Sequence, residues 1–463
     1  MPTRNHFTNF VLVCCFVLTA CLGVTTQLNA QENPREAEFK LAGVFGDHMV
    51  LQQKSEAAIW GTAQPGAAVA VTPSWSKREV KTKAGSDGKW KTTLKTPAAG
   101  GPFAIQVRSG GQTKVLKDVL SGEVWICSGQ SNMQWKLRGF GADHFKADVD
   151  KANHPEIRFC NVPQILALEP QDDIRTRWSV CTPKSALSFS AVAYFFGDRL
   201  REELNVPIGL ISTNWGGSSG EAWVNSEVLD DKFPAFRKKL ASYPAAIEKH
   251  GSVLKRGKLP KGLNHRSPAV LYNQMVRPLI PFSFRGVIWY QGESNVKEPA
   301  QYAKLFPALI ENWRSEWGQG DFPFYYVQIA PFHYKTNPLP VALLREAQFQ
   351  ALDVPNTGMV VTMDIGDPTN IHPKPKKPVG SDWHCWRWPR IMDGKSWFTL
   401  ALNMCHTKSS GTKFDLILSM WVVVWVVVTE SHSLTLLLLA RTKFFIRRQR
   451  KSMATRSLFV AKR

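Results

Sequence analysis

The sequence predicts an α/β protein, with an open-sheet domain over residues 121–380 preceded by a small β-sandwich over 39–120. Two observations predict it. In the second region four apolar, strand-like runs each end in a polar loop containing glycine, and open α/β sheets place their ligands at such strand C-terminal ends. In the first region, Phe39 to Leu120 holds short alternating runs punctuated by Gly, Pro and Asp87-Gly88, with no helical periodicity.

Taken from the N-terminus, Met1 to about Ala30 has a basic start at Arg4, an apolar run from Phe10 to Gly23, and Leu28-Asn29-Ala30 before a polar stretch. This reads as an export signal, so a secreted or periplasmic product is expected. Leu18-Thr19-Ala20-Cys21 also resembles a bacterial lipobox, in which Cys21 would carry lipid and anchor the protein to a membrane. Cys127, Cys160 and Cys181 remain in the main body; an odd number argues against a dense disulfide framework, although Cys160 with Cys181 allows one bond. Cys127 follows an apolar run and reads as inert core. The sandwich strands are expected at Ala57–Trp60, Ala68–Thr72, Trp90–Leu94 and Phe103–Val107, and helices at Val192–Leu204 and Ala300–Trp313. The Lys- and Pro-rich segment Asp231 to Asn264 reads as an insertion over the strand ends.

The four loops carry the chemistry. Gly122 to Trp135 reads GEVWICSGQSNMQW, where Val124, Trp125 and Ile126 run into a Gly turn that presents Ser131. A nucleophile is held in this way at a strand end, though Ser128 to Asn132 also fits a plain polar turn. The second block is Thr213-Asn214-Trp215-Gly216-Gly217-Ser218-Ser219-Gly220. The third runs from Val287 to Asn295 and includes Gln291-Gly292-Glu293-Ser294-Asn295. The fourth, Met363 to Pro373, ends in Ile371-His372-Pro373.

In this order the blocks resemble the SGNH (GDSL-like) hydrolases, and GEVWICSGQSNM together with VIWYQGESN is similar to the sialate O-acetylesterase family, over about Leu41 to Gly380. The resemblance implies a three-layer α/β/α, flavodoxin-like catalytic domain. It also implies removal of acetyl esters from carbohydrate hydroxyls, notably the 9-O-acetyl groups of sialic acids. Acetylxylan or another acetylated polysaccharide is the alternative substrate, and a non-catalytic carbohydrate-binding protein the alternative function.

An ester hydrolase needs a nucleophile, a base and donors aimed where the carbonyl oxygen becomes negative. Ser131 and His372 take the first two roles. The oxyanion donors are expected to be the Ser131 N–H, the Gly217 N–H and the Asn295 amide, and no cofactor or metal is called for. Relatives often carry an acid two or three positions before the histidine, where this chain has Asn370 and Thr369. The third member is therefore Asp367, which we favour, or Asp364, or is absent, leaving a Ser–His dyad steadied by a backbone carbonyl. Asp367 also fits a turn before Pro368. Gln130, Trp215, Gln291, Glu293 and Arg345 are candidate substrate contacts. Each has a structural alternative: Glu293 bracing its loop through backbone N–H groups, Arg345 forming a helix-surface ion pair. Trp135, Trp223 and Trp289 are sugar-stacking or core residues.

After Gly380 the character breaks. Ser381 to Arg463 holds six Trp, the run Trp421 to Val428, and 14 Lys and Arg against 4 acids, so it supplies +10 of the net charge of +21. The basic balance is thus no nucleic-acid footprint across the fold. Ser381 to Asp393 can be encoded so that the neighbouring frame gives an amphipathic helix ending in glycine, so the tail reads as a frameshift. The alternative is a membrane span over Leu416 to Ala440 followed by the basic cluster Arg447 to Lys451, at the cost of Glu430 and His432 in its middle.

Overall fold

The computed structural model describes residues 38–141, 143–254, 259–335 and 337–382, with the backbone of Val424–Val428 and Leu434–Leu438. The expected export signal, Cys21 and the remainder of the tail lie outside the described residues.

Eight strands open the chain: β1 (Lys40–Leu41), β2 (Val50–Gln52), β3 (Glu56–Thr62), β4 (Ala68–Pro73), β5 (Val80–Lys83), β6 (Lys89–Lys95), β7 (Gly100–Ser109) and β8 (Gln112–Gly129). They make two sheets, β1-β3-β6 and β5-β4-β7-β8-β2. Alternation explains the pairing: β3 buries Ala57 and Ile59, β4 buries Val69 and Val71, and β6 buries Trp90 and Leu94, while their intervening residues face outward.

The second half of β8 leaves the sandwich and becomes the central strand of the next sheet. Its first residues alternate, whereas every residue from Val119 to Gly129 is buried. The expected boundary between 120 and 121 therefore falls inside one strand. At the crossing, Phe103 pairs with Val119 but Ile105 with Leu116, which leaves one extra residue on β8, and Asp118 there takes a left-handed φ of 53°. Such a bulge bends a strand. Arg158 fixes it, holding both Asp118 carboxylate oxygens at 2.7 and 3.1 Å.

The larger sheet adds β9 (His154–Asn161), β11 (Trp178–Cys181), β12 (Ile208–Asn214), β14 (Gly286–Tyr290), β15 (Phe324–Val327) and β16 (Thr357–Val360) in the order β11-β9-β12-β8-β14-β15-β16; β10 (Leu166–Ala167) pairs separately with β13 (Val253–Leu254). All neighbours are parallel except β11 with β9. Counted in chain order, β8, β12, β14, β15 and β16 lie 2-1-3-4-5 across the sheet, the flavodoxin-like order whose ligand crevice opens beside the first strand.

Side chains alternate between two cores. Trp125, Ile288 and Tyr325 meet Phe195 and Phe196 of helix α2 (Ala191–Leu204) and Val379 of α5 (Lys376–Asp382), α1 being the short turn Ser131–Gln134. Val124, Ile126, Val287 and Trp289 instead meet Leu305, Leu309 and Trp313 of α3 (Pro299–Trp317) and Leu344 of α4 (Leu339–Gln350). Strands buried on both faces read as continuous apolar runs, as VWIC and VIWY do here, and each large side chain so covered contributes about 1.5–3 kcal/mol. The expected three-layer α/β/α architecture is the one found.

One expectation needs correction. Cys160 and Cys181 are free thiols, buried but unpaired. Cys160 pairs with Trp178 at one end of β11 while Cys181 forms its other end, three residues or about 10 Å of strand away, too far for a bond. Within Leu416 to Ala440 the described backbone is two antiparallel strands, β17 (Val424–Val428) and β18 (Leu434–Leu438), which suits the β-branched run Val422 to Val428. These strands belong to a separate unit of the chain. Among the described residues no helix is long and apolar enough to cross a membrane.

Candidate active site

Ser131 follows β8 directly. The turn beneath it requires glycine: Gly129 has φ 137°, and a Cβ there would stand 2.2 Å from the Tyr290 carbonyl oxygen. The same carbonyl accepts from the Gln130 N–H at 2.8 Å, which pulls the loop over β14 and leaves Ser131 at the start of α1.

His372 arrives from the loop after β16, and its Nε2 lies 2.8 Å from Ser131 Oγ. The ring is half-buried and tilts against Trp135, centroids 5.1 Å apart. Burial, and secondarily the charge of Lys376, hold the imidazole below its ordinary value of 6.5, so it is neutral at pH 7 and fit to accept a proton.

The Asp367 carboxylate does not reach His372. Its Oδ1 accepts from the Thr369 N–H at 2.8 Å, the Thr369 hydroxyl at 2.7 Å and the Asn370 N–H at 3.1 Å, closing its own turn before Pro368. Those donors hold the carboxyl below the usual carboxylate range. Among the described residues no carboxylate or carbonyl is hydrogen-bonded to the His372 ring, so this structure places none of Asp367, Asp364 or a carbonyl as its orienting partner. His372 is instead fixed through its main chain: its N–H donates to Asn370 Oδ1 at 2.9 Å, and the preceding Ile371 carbonyl accepts from Asn132 Nδ2 at 3.1 Å.

The glycine block packs against the serine. A Cβ on Gly216 would be 3.4 Å from Ser131 Cβ, and the Gly216 N–H donates to Gln134 Oε1. Gly217, at φ 76°, turns its carbonyl to Arg266 Nε at 2.7 Å and to the Ser294 hydroxyl at 3.0 Å. The N–H groups of Ser131 and Gly217 have no partner among the described residues, which leaves both available to an oxyanion. Asn295 departs from expectation: its Nδ2 donates to Glu221 at 3.0 Å and its Oδ1 accepts from the Gly220 N–H and Gln291 Nε2. It braces the second and third blocks and is not aimed at Ser131.

The remaining candidates divide. Gln291 is fully buried, bonded to Asn295 and to the Ser218 carbonyl. Gln130 accepts from the Gly292 and Ser294 N–H groups at 3.3 Å each. Glu293 holds its loop as expected, with its own backbone N–H on its carboxylate, and also accepts from the Asn132 side chain at 2.6 Å; burial raises its carboxyl. Trp223 and Trp289 are core. Trp215 stacks parallel on His265, centroids 5.6 Å apart. Arg345 donates to Gln328 Oε1 and Met363 Sδ and forms no ion pair with a described acid, so the helix-surface pair is not found.

Lys376 was not distinguishable in sequence. Among Lys374, Lys376 and Lys377 it reads as one of three surface cations, yet it is wholly buried, with its Nζ 2.5 Å from Asn132 Oδ1. His265 and Arg266 lie just past the insertion, whose helices Pro234–Leu240 and Tyr243–His250 return the chain to Gly217. No motif marked them.

A flavodoxin-like sheet with a Ser–His contact at its switch point and a glycine loop beside the serine defines the class of SGNH-type hydrolases. A family model described as carbohydrate esterase, sialic acid-specific acetylesterase, matches residues 121–379. The chain is 33% identical to human sialate O-acetylesterase over 386 residues, covering 75% of this chain and 70% of that protein. It is 32% identical to the mouse sialate O-acetylesterase, covering 75% and 72%. The crystal structure of a carbohydrate acetylesterase from Xanthomonas citri shares the fold with a TM-score of 0.65 at 36% identity, over 75% of this chain and 74% of that one. The chain belongs to the sialic acid-specific acetylesterase family of carbohydrate esterases, and it is an esterase.

Proposed function

We propose that the protein is an exported carbohydrate O-acetylesterase that removes 9-O-acetyl groups from sialic acids with Ser131 as nucleophile. The observation that carries this reading is the 2.8 Å contact between Ser131 Oγ and His372 Nε2 beside the Gly216-Gly217 loop. Ser131 Oγ attacks the acetyl carbonyl as His372 takes its proton, and the oxyanion faces the N–H groups of Ser131 and Gly217. Collapse expels the sugar hydroxyl, which leaves with the proton held by His372. Water, deprotonated by the same imidazole, then releases acetate from acetyl-Ser131.

The names of the relatives support a carbohydrate substrate, and two cations support an acidic sugar. Arg266 lies exposed on the Gly217 carbonyl, and Arg345 stands beside Met363 at the head of the His372 loop. Neither forms a salt bridge with a described acid, and a sialic acid carboxylate complements a guanidinium. Acetate release from a 9-O-acetylated sialoside, acetylxylan and an aryl acetate tests this. A sialoside preferred by at least about tenfold in kcat/KM supports the reading, whereas a preference for acetylxylan replaces it with a polysaccharide acetylesterase. Export rests on the Met1 to Ala30 pattern. Sequencing the mature N-terminus distinguishes cleavage near Ala30 from a lipidated Cys21, and an intact Met1 rejects both.

A further inference from the structure

Asn132, the residue after the nucleophile, touches three partners at once. Its Oδ1 accepts from Lys376 Nζ at 2.5 Å, and its Nδ2 donates to Glu293 Oε1 at 2.6 Å and to the Ile371 carbonyl at 3.1 Å. One amide thus ties the neighbour of Ser131 to the neighbour of His372. Asn132 and Lys376 are fully buried and Glu293 is 9% exposed. The ester chemistry itself has no use for a buried lysine and a buried glutamate.

The charges explain why the amide stays put. An ammonium only donates and a carboxylate only accepts, so a cation at one edge and an anion at the other permit a single orientation of the Asn132 side chain. In that orientation the second N–H points at the Ile371 carbonyl; flipped, it would set an N–H against the ammonium and an oxygen against the carboxylate.

We propose that Lys376, Asn132 and Glu293 form a positioning clip that holds His372 against Ser131, doing the work of the acidic residue that orients the base in a Ser-His-Asp site. This rests on the assignment of Ser131 and His372 given above. The clip acts on the main chain of the base, whereas an acid in a triad acts on the ring. Second to burial, its lysine also weakens the base. Ser131, Trp135 and Lys376 face the imidazole, and of these only Lys376 bears charge. Lys376 in turn faces the Tyr290 ring at 5.5 Å, the Phe140 ring at 6.0 Å, and Glu293 across the amide. Burial draws Lys376 down to about 7 while Glu293 pulls it upward.

The test uses the full chain and a small aryl acetate, which needs no sugar contact, with active sites titrated by an organophosphonate. Asn132→Ala is expected to lower kcat per titrated site about 10- to 100-fold with KM within about twofold, the signature of lost positioning. Glu293→Gln keeps the shape and removes one charge, and should cost about tenfold in the same parameter. Lys376→Met should move the acid limb of kcat/KM to higher pH, because the cation that opposes the imidazolium is gone; Lys376→Arg should keep the limb in place. A role in stability alone would lower Tm and the titratable fraction but leave kcat per site and the limb unmoved, and that result overturns the clip. Ser131→Ala and His372→Ala run alongside. Activity surviving in them overturns the nucleophile and base assignment, whereas its loss there with unchanged kcat per site in Asn132→Ala and Glu293→Gln overturns only the clip.

Discussion

The two loops that meet at Ser131 and His372 are constrained in opposite ways. The serine loop leaves the middle of the sheet and is fixed from within: Gly129 fits beneath the Tyr290 carbonyl, Gln130 is 3% exposed, and α1 closes on the Gln130 carbonyl. The histidine loop leaves the edge strand β16, begins at a Met363 that is 51% exposed, and within itself closes the Asp367 turn and the Asn370 contact to the His372 N–H. What steadies His372 from outside that loop is Trp135 against its ring and Asn132 on the Ile371 carbonyl. The serine side thus provides the frame on which the base is hung. Changes on it should damage both fold and chemistry, whereas changes within the histidine loop should spare the fold and act on the chemistry through the imidazole and the Asn370 that holds its main chain.

The largest expected effect is shared by both sides. Ser131→Ala and His372→Ala should each lower turnover by about 10⁴-fold in a folded protein, and the double variant should be no worse than the poorer single one, because the two act as a unit. Additive losses measured on an acetyl ester would show two independent roles. Next comes the frame. Gly129→Ala places a methyl against the Tyr290 carbonyl at a φ that alanine resists, and should cost about 3–5 kcal/mol, read from the urea midpoint at unchanged m-value. A shift under about 1 kcal/mol would mean the serine loop yields as readily as its partner.

A smaller effect is set by pH. The base works only when deprotonated, and burial with Lys376 places His372 below 6.5. The kcat/KM profile should therefore stay level through neutrality and fall about tenfold per unit below a midpoint under 6.5. A midpoint at or above 6.5 would mean the imidazole is more solvated or better paired than its surroundings imply. The smallest effect separates turn from triad. Asp367→Asn keeps the turn oxygen and should change kcat by less than about threefold; a loss matching that of His372→Ala would make Asp367 the orienting acid after all.

The same asymmetry governs what the sequence disclosed. The serine loop is legible because its constraints are local: an apolar run, a glycine and a serine lie within a few residues, and the doubly buried strands show as unbroken apolar runs. Asp367 is misjudged because an acid near a histidine suits a triad and a turn equally, and only the partner geometry separates them. Asn295 is misjudged for the same reason, since a side-chain amide in a polar loop can aim at the substrate or brace the loop. Lys376 is invisible because nothing local distinguishes a buried lysine from Lys374 and Lys377; its burial follows from packing beneath Tyr290 and Phe140, residues distant in the chain.

The strand β8 carries a further consequence. Its 18 residues span about 60 Å at 3.3 Å each, running from the sandwich to the threshold of Ser131 without a linker, and β2 is zipped across the middle with Val50 opposite Leu120 and Gln52 opposite Gly122. Shuffling of genes trades modules at flexible seams, and here there is no seam to cut. The sandwich cannot be exchanged as a cassette, because severing it would sever the beam that carries the nucleophile, so the two sheets are obliged to be inherited, and to vary, as one piece.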